Sequence, residues 1–136
     1  MKQRSRKALL NDLLNSSDKV LFTRGACHIF AAKLNERFGY ELMACRDKSN
    51  GIAHCYAIRN GEGIDAIGKI DRPCFHEDFK FVHKKDISRA DLLEYFRQRF
   101  PDEESACHSG NKSFNQIAFC RAEKFINKNL DRFGPP

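Results

Sequence analysis

Cys27, His54 and Asp65 are the residues whose types and settings could together break an acyl bond. Cys27 falls in the first turn of a predicted helix. Backbone N–H groups there lack helical acceptors, and the positive end of the helix dipole favours a thiolate over a thiol. A packing role competes for the same residue, because Cys27 shares an apolar stripe with Phe30, Ala31 and Leu34, and free cysteine is commonly buried. His54 lies in the apolar run Ala53-His54-Cys55-Tyr56-Ala57-Ile58, where a solvated histidine is out of place. Asp65, between Ile64 and Ala66, is uncommon in a strand and costly to bury without a partner. A thiol at a helix start, an imidazole and a carboxylate are a nucleophile, a general base and the group that orients that base.

Three elements must bring these residues together. Residues 26–38 carry Cys27, Phe30, Ala31, Leu34 and Phe38 at helical spacing, and Gly39 stands where a left-handed cap is wanted. Residues 40–47 and 52–59 read as strands on either side of the Lys48-Ser49-Asn50-Gly51 turn, and residues 63–68 read as a third. Asn60-Gly61 between the last two is the strongest short hairpin signal there is. A two-residue turn at that point opposes Arg59 to Glu62, Tyr56 to Asp65 and His54 to Ile67. His54 and Asp65 then become diagonal neighbours on one face, roughly 7–8 Å apart and within side-chain reach.

The rest of the chain supplies the surroundings. Leu9, Leu10, Leu13 and Leu14 predict a helix over residues 5–15, and Val20-Leu21-Phe22 is an apolar segment leading towards Cys27. Phe79-Lys80-Phe81-Val82 reads as a fourth strand. Ser88 and Asp91 offer a cap for a helix through Leu92, Leu93, Tyr95, Phe96 and Phe100, stopped by Pro101. A last helix over residues 113–132 is expected to bury Phe114, Ile117, Ala118, Phe125 and Leu130, with Cys120 or the stem of Arg121. No internal repeat or low-complexity tract interrupts this order. The expectation is one α+β domain, residues 1–136, in which three or four antiparallel strands pack against the nucleophile-bearing helix and two C-terminal helices.

Gly25-Ala26-Cys27-His28-Ile29-Phe30-Ala31, Ala53-His54-Cys55-Tyr56-Ala57 and Gly63-Ile64-Asp65-Ala66-Ile67-Gly68 together resemble the core of the transglutaminase-like and papain-like thiol enzymes. The resemblance covers residues 20 to 70. It implies a catalytic triad of Cys27, His54 and Asp65, in that chain order on a helix–strand–strand unit. The implied chemistry is thiolate attack on an amide, a thioester intermediate, and transfer to water or an amine, with no cofactor and no metal. Two departures narrow it. His28 stands where an aromatic residue often follows the nucleophile, and Lys19-Val20-Leu21-Phe22 offers no glutamine for an oxyanion. A protein glutamine deamidase, amidohydrolase or acyltransferase is therefore favoured over a cysteine peptidase. The second oxyanion donor beside the Cys27 N–H is left unidentified. Small chains resembling this core are often bacterial effectors or toxins, and the implied partner is a protein or peptide substrate.

Composition sets the alternatives. The 136 residues include 24 Lys+Arg and 18 Asp+Glu, with no apolar run approaching a membrane span. Lys2, Arg4, Arg6 and Lys7 supply four of the six excess positive charges with no acid among residues 1–7, so the basic character reads as a tail, frayed or solubilising. The rival reading is a non-catalytic module using that tail on nucleic acid or an acidic protein. A nucleic-acid partner and a membrane partner are not expected. Six cysteines without a CxxC pair or a secretory leader suggest free thiols in a reducing cytoplasm, with export by a route lacking a signal peptide left open. Cys27-His28, His54-Cys55, Cys74-x-His76 and Cys107-His108 raise zinc, but adjacent ligands point in different directions and do not fold back on one ion. Cys107 lies in a polar loop with no acid or helix start to activate it. The loops 69–78 and 101–112 are expected to choose the substrate.

Overall fold

Ser5, Ser17, Ser88 and Ser113 each accept the backbone N–H three residues on, and each opens a helix. The computed structural model describes residues 5–47, 49, 51–70, 83–104 and 111–136. In chain order these form α1 (Arg6–Leu14), α2 (Asp18–Arg24), α3 (Cys27–Phe38), β1 (Glu41–Arg46), β2 (Ile52–Arg59), β3 (Glu62–Asp65), β4 (Gly68–Lys69), β5 (His83–Ile87), α4 (Arg89–Arg99), a 3-10 turn (Pro101–Glu103), α5 (Phe114–Lys128) and α6 (Leu130–Phe133). The class is α+β. The strands form one antiparallel sheet in the order β4-β3-β2-β1-β5.

The core lies between this sheet and the helices, with α3 at its centre against β2, α5, α4 and α2. Leu42, Ala44, Cys55, Ala57 and Ile64 alternate along the strands and are buried, as strand periodicity requires of the covered face. Phe30 meets Phe22, Phe125 and Phe133 with ring centroids 5.1–5.8 Å apart. Full burial of each such side chain is worth about 1.5–3 kcal/mol. Tyr40 ties α3's exit to the C-terminus, its hydroxyl donating to the Phe133 carbonyl at 2.8 Å. Gly39 closes α3 at φ 74°, the left-handed cap the sequence predicts.

Several boundaries differ from the expectation. The segment at Val20-Leu21-Phe22 is the helix α2: Ser17 caps it, Leu21 and Phe22 are buried, and Arg121 anchors its start by bonding Asp18 and the carbonyls of Leu14 and Ser16. The third strand ends at Asp65, not Gly68, because Ala66-Ile67 turns the chain back into β4. The fourth strand assigned to residues 79–82 lies outside the described residues; the strand observed beyond β1, at one edge of the sheet, is β5. The last helix breaks at Asn129, so Leu130 is exposed and Phe133 takes the buried place, while Cys120 is also exposed. Arg6 belongs to a helix and pairs with Glu103, so the basic run stops being a tail at residue 6.

Candidate active site

Among the described helices of seven residues or more, α3 is the exception at its N-terminus: Ala26 supplies no side-chain cap. Forgoing a cap costs about 1 kcal/mol. It leaves the leading N–H groups, those of Cys27 and its neighbour, free of a side-chain acceptor. The approach to that end is tight. A Cβ on Gly25 would lie 2.4 Å from Leu13 Cδ1, so glycine lets the chain pass close under α1 before turning into the nucleophile's helix.

The hairpin behaves as its sequence requires. Asn60 and Gly61 both take positive φ, 53° and 79°, and β2 pairs with β3 through Arg59↔Glu62, Ile58↔Gly63 and Ala57↔Ile64. The next step of this register sets Tyr56 beside Asp65. One detail is new: Cys45 pairs with His54 but Arg46 pairs with Ile52, so the β1–β2 ladder skips Ala53. A bulge of this kind adds twist and re-aims the residue beside it, here His54.

Cys27, His54 and Asp65 come together. His54 Nε2 lies 3.7 Å from Asp65 Oδ2, with the two side chains 10% and 12% exposed. Asp65 Oδ1 accepts the Ile67 N–H at 2.9 Å, so the turn that ends β3 also fixes the carboxylate. Arg132 holds that turn from outside by donating to the Ile67 carbonyl. Burial pulls the His54 imidazole down, but Asp65 and Cys27 outweigh it and raise it to about 9. Cys27 Sγ lies 3.9 Å from Cys55 Sγ. The Cys55 thiol, against the cost of burial and with help from the His28 and His54 imidazoles, holds Cys27 well below an ordinary thiol. The anion on Cys27 and burial in turn push Cys55 well up, which makes Cys55 the proton donor of the two.

Cys27 and His54 border a cleft of about 330 Å³ whose other walls are His28, Phe96, Phe100, Arg24 and the Arg6–Glu103 pair. A second recess of about 370 Å³ shares Ile52, Phe96 and Phe100 with it and extends to Asp47 and Arg99. The sequence pattern missed two buried groups here. His28 is 2% exposed although it lies off the predicted stripe, and Glu103 is equally buried within the acidic run Asp102-Glu103-Glu104 that reads as a solvated loop. Nothing in the local sequence marks Glu103; Pro101 opens the 3-10 turn that carries it inward.

Among the described residues no group of three or more His, Cys, Asp or Glu side chains is arranged to hold a metal ion, and no helix is long and apolar enough to cross a membrane. Cys74, His76, Cys107 and His108 lie outside the described residues, as do most of the two loops expected to choose the substrate. No family model, curated protein or solved structure matches the chain.

Proposed function

We propose that the protein is a thiol enzyme that attacks amide bonds with Cys27, using His54 as general base and acid and Asp65 to orient it. The observation that carries this reading is that Cys27, at an uncapped helix start, and His54 border one cleft, with Asp65 3.7 Å from His54. With Nε2 turned to Asp65, the nitrogen His54 has for the sulfur is Nδ1. With Cys27 held well below an ordinary thiol and His54 raised to about 9, the pair favours thiolate beside imidazolium.

The reaction runs in two halves. Sγ adds to the acyl carbon, the oxyanion takes the open N–H at the start of α3, and His54 gives its proton to the departing amine, leaving a thioester. His54 then takes a proton from water or an acceptor amine as that group attacks the thioester, and the carbon–sulfur bond breaks to restore the thiolate. The apolar wall of Phe96 and Phe100 and the adjoining recess suit a side chain or peptide segment beside the reacting amide. This supports a protein or peptide substrate; the lack of a glutamine in Lys19-Val20-Leu21-Phe22 is what favours a deamidase, amidase or acyltransferase over a peptidase. A free thiolate also suits the reducing cytoplasm.

The test needs no natural substrate. Mixed with p-nitrophenyl acetate, the protein should release a burst of nitrophenolate stoichiometric with chains, and mass spectrometry should find the acetyl group on the Cys27 peptide. Acetylation on another cysteine first, or no burst at neutral pH, would remove Cys27 from the role.

A further inference from the structure

Cys55 stands directly behind the nucleophile, and the reaction above makes no use of it. Its Sγ lies 3.9 Å from Cys27 Sγ. The two thiols differ in access: Cys27 is partly exposed and borders the cleft, whereas Cys55 is 0% exposed and belongs to the core. Packing asks only for a small apolar side chain at this position, such as Ala57 supplies two places on along the same face. A thiol adds chemistry that alanine does not. Of the other described thiols, Cys45 is opposite His54 rather than Cys55 in the β1–β2 ladder, and Cys120 is exposed on α5. The helical wall of the cleft carries His28 and Glu103, an imidazole–carboxyl pair 3.6 Å apart, and among its described residues no thiol but Cys27.

We propose that Cys55 is a resolving thiol for Cys27: when hydrogen peroxide oxidises the nucleophile, the two sulfurs join in a disulfide that halts the enzyme reversibly. This rests on Cys27 as the reactive thiol, as argued above. In the first step the Cys27 thiolate attacks one peroxide oxygen and the O–O bond breaks. Sulfur becomes a sulfenic acid, and the departing hydroxide takes the proton of the His54 imidazolium and leaves as water. Cys55 Sγ then attacks the Cys27 sulfur, the S–O bond breaks, and the Cys55 proton leaves with the hydroxyl as a second water. Two electrons have passed from the thiol pair to the peroxide. A disulfide holds its sulfurs about 2.05 Å apart, so the pair must close by about 1.9 Å, a gap that rotation of the Cys27 side chain about Cα–Cβ can cover. Burial shields Cys55 from peroxide, which fixes the order of events. Oxidation also prepares the second step: the hydrogen bond to the Cys27 anion, with burial behind it, keeps the proton on Cys55, and a sulfenic acid carries no such charge. A dithiol reverses the bridge by exchange and restores both thiols. Without a resolving partner, the sulfenic acid is open to irreversible oxidation to sulfinic acid.

The full chain is treated with a few equivalents of hydrogen peroxide, its remaining thiols are alkylated with iodoacetamide in denaturant, and tryptic peptides are mapped without reductant. Cleavage after Arg24, Lys33, Lys48 and Arg59 places Cys27 and Cys55 on separate peptides, residues 25–33 and 49–59. These should appear joined, lighter by two hydrogens than the two peptides together. The acetyl burst from p-nitrophenyl acetate should disappear in step with the joined peptide and return in full on adding dithiothreitol. Cys55→Ala, whose burst should be slower because Cys27 loses a hydrogen-bond donor, should lose it to peroxide for good, its Cys27 peptide gaining two oxygens. Wild-type Cys27 that stays unoxidised, runs on to sulfinic acid with Cys55 still alkylatable, or joins another cysteine overturns the resolving role. If the untreated protein nevertheless shows the burst, the nucleophile assignment stands alone; if Cys27 takes up neither acetyl group nor oxygen, both fall. A joined pair in a protein without any burst keeps the bridge and removes the enzyme. Should Cys55→Ala not fold, the wild-type map decides by itself.

Discussion

The two walls of the cleft solve one problem by different routes. On the sheet side, His54 and Asp65 sit on neighbouring strands of one tight hairpin, and the carboxylate is fixed by the Ile67 N–H beside it. On the helical side, His28 and Glu103 meet only because α4 and the 3-10 turn fold over α3, and Arg6 from the first helix completes the pair. Asp65 keeps some contact with solvent, while Glu103 is buried. A pair held by local register is cheap to specify and tolerant of what lies elsewhere. A pair held by three distant segments exists only when the whole domain is folded, so it can be loosened without touching the first.

The largest effect should come from removing what both walls share. Cys27→Ala is expected to abolish the acetyl burst while leaving thermal stability nearly unchanged, since Cys27 is only partly buried at the edge of a cleft. A destabilisation of about 2–5 kcal/mol, the range for large-to-small changes in a core, would show instead that Cys27 is packing and that the walls face no nucleophile.

Asp65→Asn comes next and strikes the sheet wall alone. Turnover on an activated ester should fall by orders of magnitude, because the amide favours the wrong imidazole tautomer. The His54 titration seen by NMR should drop from about 9. A histidine raised in the folded state contributes stability that is complete below its unfolded value of about 6.5 and is lost as pH rises through the folded value. The gap in Tm between wild type and Asp65→Asn should therefore narrow as pH climbs from about 6.5 to about 9. Coincident His54 curves in the two proteins would mean that the pair is uncoupled and the hairpin does not do the positioning.

That contrast also explains how much was readable beforehand. α3, its Gly39 cap, the Asn60-Gly61 turn and the strand register are local consequences of residue type, and they carry Cys27, His54 and Asp65 to one place. Register is a matter of counting from a turn. The bulge at Ala53 depends on how β1 meets β2, and the end of β3 at Asp65 depends on the carboxylate capturing Ile67, so neither follows from alternation. α2 was hidden because seven residues are too few to display helical period, although Ser17 is an ordinary cap. Glu103 was unreadable for a stronger reason. Its partner Arg6 is 97 residues away, and a buried carboxylate in an acidic run differs from its solvated neighbours only through contacts made in three dimensions.

A steric change in the hairpin should produce an intermediate effect. A Cβ on Gly63 would lie 2.9 Å from Tyr56 Cε2 and 3.0 Å from Cδ2, against a ring that is nearly fully buried. Gly63→Ala should cost about 1–3 kcal/mol by overpacking. It should also lower the His54 titration, because Tyr56 lies between His54 and the turn and β3 must shift to make room. The His28 ring signals should stay in place. If they move as much as those of His54, the two walls are mechanically one unit.

The smallest change approaches from the helical side. Ser88 Oγ accepts the Asp91 N–H at 3.1 Å and caps α4, the helix that brings Phe96 onto His28. Ser88→Ala should cost about 1 kcal/mol, roughly a 2–8 °C fall in Tm for a chain of this size. Leu92 is the one fully buried residue of α4, so this helix has little apolar burial to resist local opening. Opening α4 releases Phe96 and with it the ring of His28, whereas His54 and Asp65 depend on β2, β3 and the Ile67 turn. Hydrogen exchange should therefore quicken over residues 89–99 in Ser88→Ala and remain as in the wild type over residues 52–65. Equal quickening in both stretches would show that the sheet wall owes its order to α4, and the distinction between a locally specified pair and a globally specified one would fail.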